Sequence, residues 1–182
     1  NEGFATYLAA LVIEDLDGEA SFKNWRQQSV NTITSQTNGA VYLSDQDTTS
    51  VNRIFSSRLS YNKGAMVLHM LRRKLGDTDF YQGLQDYLDT PALAFDFAKT
   101  EDFINAMELS TGETLDEFFD DWIYNQGYPS YTVIWDQNGN QLELVVSQTQ
   151  SDASVSFFEA GVPVRIVGTL GESLDVVLDN TI

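Results

Sequence analysis

The hydrophobic period of the chain changes once, at Gly127-Tyr128-Pro129, and that change constrains the fold more than any other feature. Before it, apolar residues recur at helical spacing; after it, they alternate. An α+β architecture follows, with helices over 1–128 and a small antiparallel β part over 129–182.

In the first part, Phe4, Tyr7, Leu8, Leu11 and Val12 form one apolar face over Asn1–Leu16, and Asp17-Gly18 ends that helix. A more polar helix is expected over Ala20–Gln36, then an irregular stretch from Thr37 to Ser57 rich in turn residues. Tyr61–Leu75 is the most apolar helix, with Met66, Val67, Met70 and Leu71 inward and Gly76 as a left-handed cap. Asp77 is expected to cap the next helix, whose stripe is Phe80, Leu84, Tyr87 and Leu88. Thr100 is expected to cap a helix holding Phe103, Ile104 and Met107, which ends at Gly112. Thr114 to Glu117 reads as a capping box ahead of Phe118, Phe119, Trp122 and Ile123.

After Pro129, Tyr131–Trp135 and Gln141–Ser147 read as a hairpin around Asp136–Gly139. Val162–Val167 and Leu174–Leu178 add two strands around Gly168–Gly171. Four short strands are few for a β-sandwich, so the β part is expected to be truncated.

Composition excludes several function classes. The net charge is −17, and acids outnumber bases on both sides of Pro129: 20 to 9 before it and 7 to 1 after it. No basic stripe exists for a phosphate backbone or an anionic membrane surface, so nucleic acid is not an expected partner. A chain 42% hydrophobic and 12% aromatic can bury a core. Its longest apolar run, Tyr7–Ile13, falls far short of the ~20 residues of a membrane span. Without cysteine there is no disulfide, thiolate metal site or cysteine nucleophile.

Residue chemistry within the chain is sparse. His69 is its one histidine, so a two-histidine zinc site cannot form and any triad would need His69 itself. Beside Arg72 and Arg73, His69 reads as a surface or partly packed residue. The pairs Glu101/Asp102 and Asp120/Asp121 are adjacent, and adjacent helix positions do not face each other. Solvated helix charge explains them, as it does Glu14/Asp15 and Asp45/Asp47. Gly168-Thr169-Leu170-Gly171 lacks the spacing and lysine of a phosphate loop.

Two motifs carry more. Asn1-Glu2-Gly3-Phe4-Ala5 and Tyr61-Asn62-Lys63-Gly64, followed by Phe118-Phe119, Trp122 and Gly127-Tyr128-Pro129, resemble the gluzincin zinc aminopeptidases, the aminopeptidase N family. There, an HExxH helix precedes by eighteen residues the glutamate of an Asn-Glu-Gly-Phe-Ala stretch. The likeness is carried by 1–16 and 58–129, and little of it lies in the strands. It implies the C-terminal lobe of a thermolysin-like catalytic domain followed by a β-sandwich. It also implies a zinc cofactor, with peptides as substrates.

In that resemblance Glu2 matches the third zinc ligand of a His₂Glu set. Taken alone, an acid in a first helical turn is explained by the helix dipole, worth ~0.3–1 kcal/mol. Tyr61 matches the tyrosine that faces the scissile carbonyl; its phenol can donate to an oxyanion. Taken alone, it is a tyrosine packed at a helix start. Both family histidines, the general-base glutamate and the residues that bind the substrate's amino terminus have no counterpart here.

The expectation is therefore a segment of a zinc aminopeptidase that begins after HExxH and completes its site with a missing N-terminal part. By itself it should be inactive and hold no tight zinc. One alternative is a non-catalytic helical scaffold with a β module for protein–protein contact. Another is a carbohydrate- or protein-binding β module with Tyr131, Trp135 and Phe157/Phe158 as its aromatics, although docking of these on the helices is the simpler expectation. The composition leans toward an extracytoplasmic or secreted setting.

Overall fold

A computed structural model describes residues 1–180; the last two residues of the expected 129–182 part lie outside the described residues. The helices are α1 (Glu2–Asp17), α2 (Glu19–Ile33), a short α3 (Val51–Ile54), α4 (Gly64–Leu75), α5 (Asp77–Asp89), α6 (Thr100–Thr111) and α7 (Asp116–Phe119). Two π-helical turns, Ser57–Lys63 and Asp120–Tyr124, lead into α4 and out of α7. Their wider winding shows in the bonds from Tyr61 N–H to Ser56 O (3.3 Å) and from Asn125 N–H to Asp120 O (2.9 Å), each five residues back.

One core joins the helices. Tyr7, Phe22, Leu71, Phe80, Met107 and Phe119 are each at most 2% exposed. Burying side chains of this size stabilises by ~1.5–3 kcal/mol each. Several faces differ from expectation. On α1, Tyr7 and Ala10 turn inward, while Leu8 and Val12 are each 55% exposed. This helix is apolar on more than one side, and period alone cannot say which side a neighbour covers. On α5, Phe80 is buried and Leu88 exposed. On α4, Val67, Leu68 and Leu71 are buried, with Met66 and Met70 only partly so.

The caps also differ. Gly76 ends α4 at φ 82 and ψ 164, a positive-φ glycine conformation but not the left-handed helical one. It lets α5 start at once. Asp77 does not cap α5; its carboxylate accepts from Arg72 Nε (2.8 Å) and Nη2 (2.9 Å). Thr100 is the first residue of α6 rather than its cap: Lys99 N–H donates to Asp102 (2.7 Å), which caps α6 from within, and Leu115 N–H donates to Glu108 (2.7 Å) where a capping box was expected.

The strands form two separate antiparallel pairs. β1 (Pro129–Asn138) pairs with β2 (Gln141–Gln150), from Pro129 opposite Gln150 to Asn138 opposite Gln141. β3 (Val162–Val167) pairs with β4 (Ser173–Leu178). The first hairpin is longer than expected, because its turn is just Gly139-Asn140 with Gly139 at φ 59, and both strands run up to it. The segment between β2 and β3 returns to the helices. Phe158, fully buried, packs on Trp122 with ring centroids 4.7 Å apart, and Val155 joins the same core. Tyr131 and Trp135 remain 37% and 65% exposed.

Candidate functional site

Glu2 opens α1 and Tyr61 lies in the π turn ahead of α4, so the two motifs sit at the starts of two helices. These helices cross at glycines. A Cβ on Gly3 would stand 2.8 Å from the Gly64 carbonyl carbon and 2.9 Å from its Cα. A Cβ on Gly64 would stand 3.2 Å from Gly3 Cα. Only glycine allows backbones this close, which explains both motif glycines.

Beside the crossing lies an open cavity of about 380 Å³. Glu2, Phe4, Val41, Leu43, Phe103 and Ile123 are among its walls, and Ser60 and Gly64 reach it from the α4 side. Tyr61 itself is half-buried between those two positions and is not part of the lining. The Glu2 side chain is 29% exposed.

The residues present fit one ligand of a zinc site. The carboxylate of Glu2 opens on a cavity and has lone pairs to give. Among the described residues, however, no three His, Asp or Glu side chains converge as a metal cage. His69 is not available to it. It is 8% exposed, flanked by Phe22 (centroids 5.4 Å) and Tyr7, whose hydroxyl lies 3.3 Å from Nδ1. Burial, reinforced by Arg26, Arg72 and Arg73, lowers its pKa to about 4. The expectation of a surface or partly packed histidine is corrected: α4 is buried around more of its circumference than its aliphatic pattern indicates.

Asp121 corrects a second expectation. It is 5% exposed rather than solvated, and accepts from Glu159 N–H at 3.3 Å. Burial raises its pKa to about 6 despite that bond, with Glu117, Asp120 and Glu159 adding repulsion. Adjacent positions of a helical turn face different ways, so Asp120 is exposed while Asp121 is buried.

Lys63 was missed. It is 3% exposed, and its ammonium donates to Gly39 O at 3.1 Å. Burial, then Arg58, lowers its pKa to about 8 against the pull of Asp152. No signal around Lys63 besides the motif itself marks it as buried.

Residues 1–122 match the model of the peptidase family M1 domain. The chain belongs to peptidase family M1. This is a metallo-aminopeptidase family, and the Glu2 and Tyr61 motifs both lie within the matched residues. The M1 chain is 33% identical over 155 residues to Probable aminopeptidase 2 of Sulfurisphaera tokodaii, covering 79% of this chain and 18% of that protein. It is 34% identical over 161 residues to Aminopeptidase M1-B of Oryza sativa subsp. japonica, covering 85% and 18%. It is 28% identical over 183 residues to Tricorn protease-interacting factor F2 of Thermoplasma volcanium, covering 94% and 22%. The M1 chain thus spans about a fifth of the length of these curated relatives. A crystal structure of Legionella pneumophila aminopeptidase A in complex with aspartic acid shares the fold, with a TM-score of 0.70 at 18% identity over 98% of this chain and 20% of that one.

Proposed function

We propose that this M1 chain supplies one side of the active site of a zinc aminopeptidase that releases residues from peptide N-termini. The observation that carries the reading is the Gly3–Gly64 crossing, which joins the Glu2 and Tyr61 motifs beside one open cavity. Glu2 is the chain's metal ligand, directed by its place in the first turn of α1. Zinc, when bound, supplies Lewis acidity and an activated water. Tyr61 donates its phenolic proton as a hydrogen bond to the oxygen that gains charge when the peptide carbonyl is attacked. The chain alone contributes a single donor, so it binds no tight zinc and is inactive without the polypeptide that carries the remaining ligands.

The test uses the full-length peptidase containing this segment. Glu2→Ala should lose zinc and activity together. Tyr61→Phe should keep stoichiometric zinc while kcat falls 10²–10³-fold, the usual cost of one oxyanion donor. Wild-type-like cleavage of aminoacyl anilides by either variant refutes that residue's role. A full-length wild type with neither zinc nor cleavage favours a non-catalytic scaffold.

A further inference from the structure

The segment between α2 and α3 has no helix or strand from Thr34 to Gln46, yet its backbone is held closely. Arg58 Nη1 donates to Asn38 O (2.8 Å). Lys63 Nζ donates to Gly39 O (3.1 Å). Arg53 Nη2 donates to both Ala40 O and Tyr42 O (2.8 Å each). From the other side, Gly39 N–H donates to Gln126 (2.9 Å) and Tyr42 N–H donates to Ile123 O (2.9 Å). Ser151 Oγ donates to Thr37 O and Tyr128 Oη to Thr34 O.

Arg58 and Lys63 spend their charge on neutral carbonyls, and Arg53, which also pairs with Asp47 at 3.7 Å, holds two more. A surface loop needs no such donors, because water satisfies its carbonyls. Burying Lys63 against a carbonyl rather than a carboxylate costs solvation, as its lowered pKa records. Arg53 keeps Nη1 buried with no hydrogen-bond partner. The bonds gained fix one stretch of backbone, and that stretch carries Val41, Tyr42 and Leu43 into the wall of the cavity beside Glu2. Arg58 and Lys63 also belong to the π turn that carries Tyr61. One turn thus holds Tyr61 and the cavity wall together.

We propose that Arg53, Arg58 and Lys63 are positioning residues that hold the 38–43 segment as the wall of an apolar specificity pocket for a bulky aliphatic or aromatic side chain of the peptide substrate. The pocket rests on the aminopeptidase reading above; the clamp does not. Phe4, Val41, Leu43, Ile54, Phe103 and Ile123 supply its apolar surface. Such a pocket discriminates by size, with each additional methylene changing selectivity ~10–200-fold at most.

The experiment compares wild type, Lys63→Met and Leu43→Ala in the full-length peptidase. Peptides carry alanine or phenylalanine at each of the first two positions. Lys63→Met should raise KM about tenfold for the phenylalanine peptides that bind the pocket. KM for the all-alanine peptide, kcat and zinc content should stay within twofold. Leu43→Ala, which leaves the clamp intact, should shift preference among bulky side chains in the same way. Equal losses on all peptides, or an unchanged KM ratio in both variants, overturns the pocket. Hydrogen exchange on the same variants reads the clamp without activity. Amides of residues 38–43 should exchange at least tenfold faster in Lys63→Met, with those of α4 unchanged; unchanged exchange overturns the clamp. A wild type that cleaves nothing fells the aminopeptidase reading and the pocket with it, while exchange still decides the clamp. If Lys63→Met does not fold, Arg53→Met gives the same exchange comparison.

Discussion

Gly3 and Gly64 meet backbone to backbone, at a distance where a Cβ on Gly3 would lie 2.8 Å from the Gly64 carbonyl carbon. The obstacle is main chain, not the end of a flexible side chain, so α1 and α4 must separate to admit a methyl group. Gly3→Ala should destabilise by about 1–3 kcal/mol, the cost of overpacking. Gly64→Ala, whose Cβ meets Gly3 Cα at 3.2 Å, should cost less. Urea unfolding of the two variants checks the order, and equal or negligible losses would show that the crossing relaxes freely.

Arg72 ties three helices together through its guanidinium. It donates to Glu14 on α1 (2.6 Å) and twice to Asp77 on α5, and it lies over the Tyr81 ring at 5.3 Å. Arg72→Met should cost about 1–3 kcal/mol, because the guanidinium is mostly buried and its bonds are charge-assisted. Arg72→Lys should recover little, since an ammonium cannot serve two carboxylates in this fork geometry. Thermal melts of both variants decide it; full recovery by lysine would show that charge alone matters.

His69 gives the fold an acid-sensitive element. Its native pKa, about 4, lies below the ordinary 6.5, so the native state holds fewer protons there than the unfolded chain. Its contribution is complete above pH 6.5 and is lost as pH falls from 6.5 toward 4, by about 3 kcal/mol in all. His69→Phe should flatten the fall in stability over that window. Denaturant unfolding at pH 7, 5.5 and 4.5 tests it, and an unchanged slope would place the acid sensitivity elsewhere.

Asp121 acts with the opposite sign. Its native pKa, about 6, lies above the ordinary 3.8, so the buried charge disfavours the fold above pH 6 and protonation relieves this between 6 and 4. Asp121→Asn keeps an acceptor for Glu159 N–H and should stabilise by about 2 kcal/mol at pH 7.5, with no gain near pH 4. A loss at both pH values would mean that the charge itself is used.

Much of this architecture was legible from local pattern. The apolar period located α1 and α4–α6, α6 ends at Gly112 as expected, there in a left-handed conformation, and Pro129 opens the first strand. The resemblance named the family, and the M1 match over residues 1–122 agrees with it. The π turns were not legible. A turn wound one residue wider leaves the order of apolar and polar residues nearly unchanged. Neither was the outward face of α1, where Leu8 and Val12 look as apolar as the buried Tyr7 and the partly buried Leu11.

The classes of element, the point where helices yield to strands, the family and the single histidine can all be read along the chain. Each depends on residue identity or on spacing within a few turns. That Gly3 touches Gly64, that His69 and Asp121 are buried, and that three cations from residues 53–63 hold the carbonyls of 38–42 emerge with the folded chain. Those depend on which distant surfaces meet. Burial and pairing are properties of a contact between segments, and the pattern within one segment carries no record of its partner.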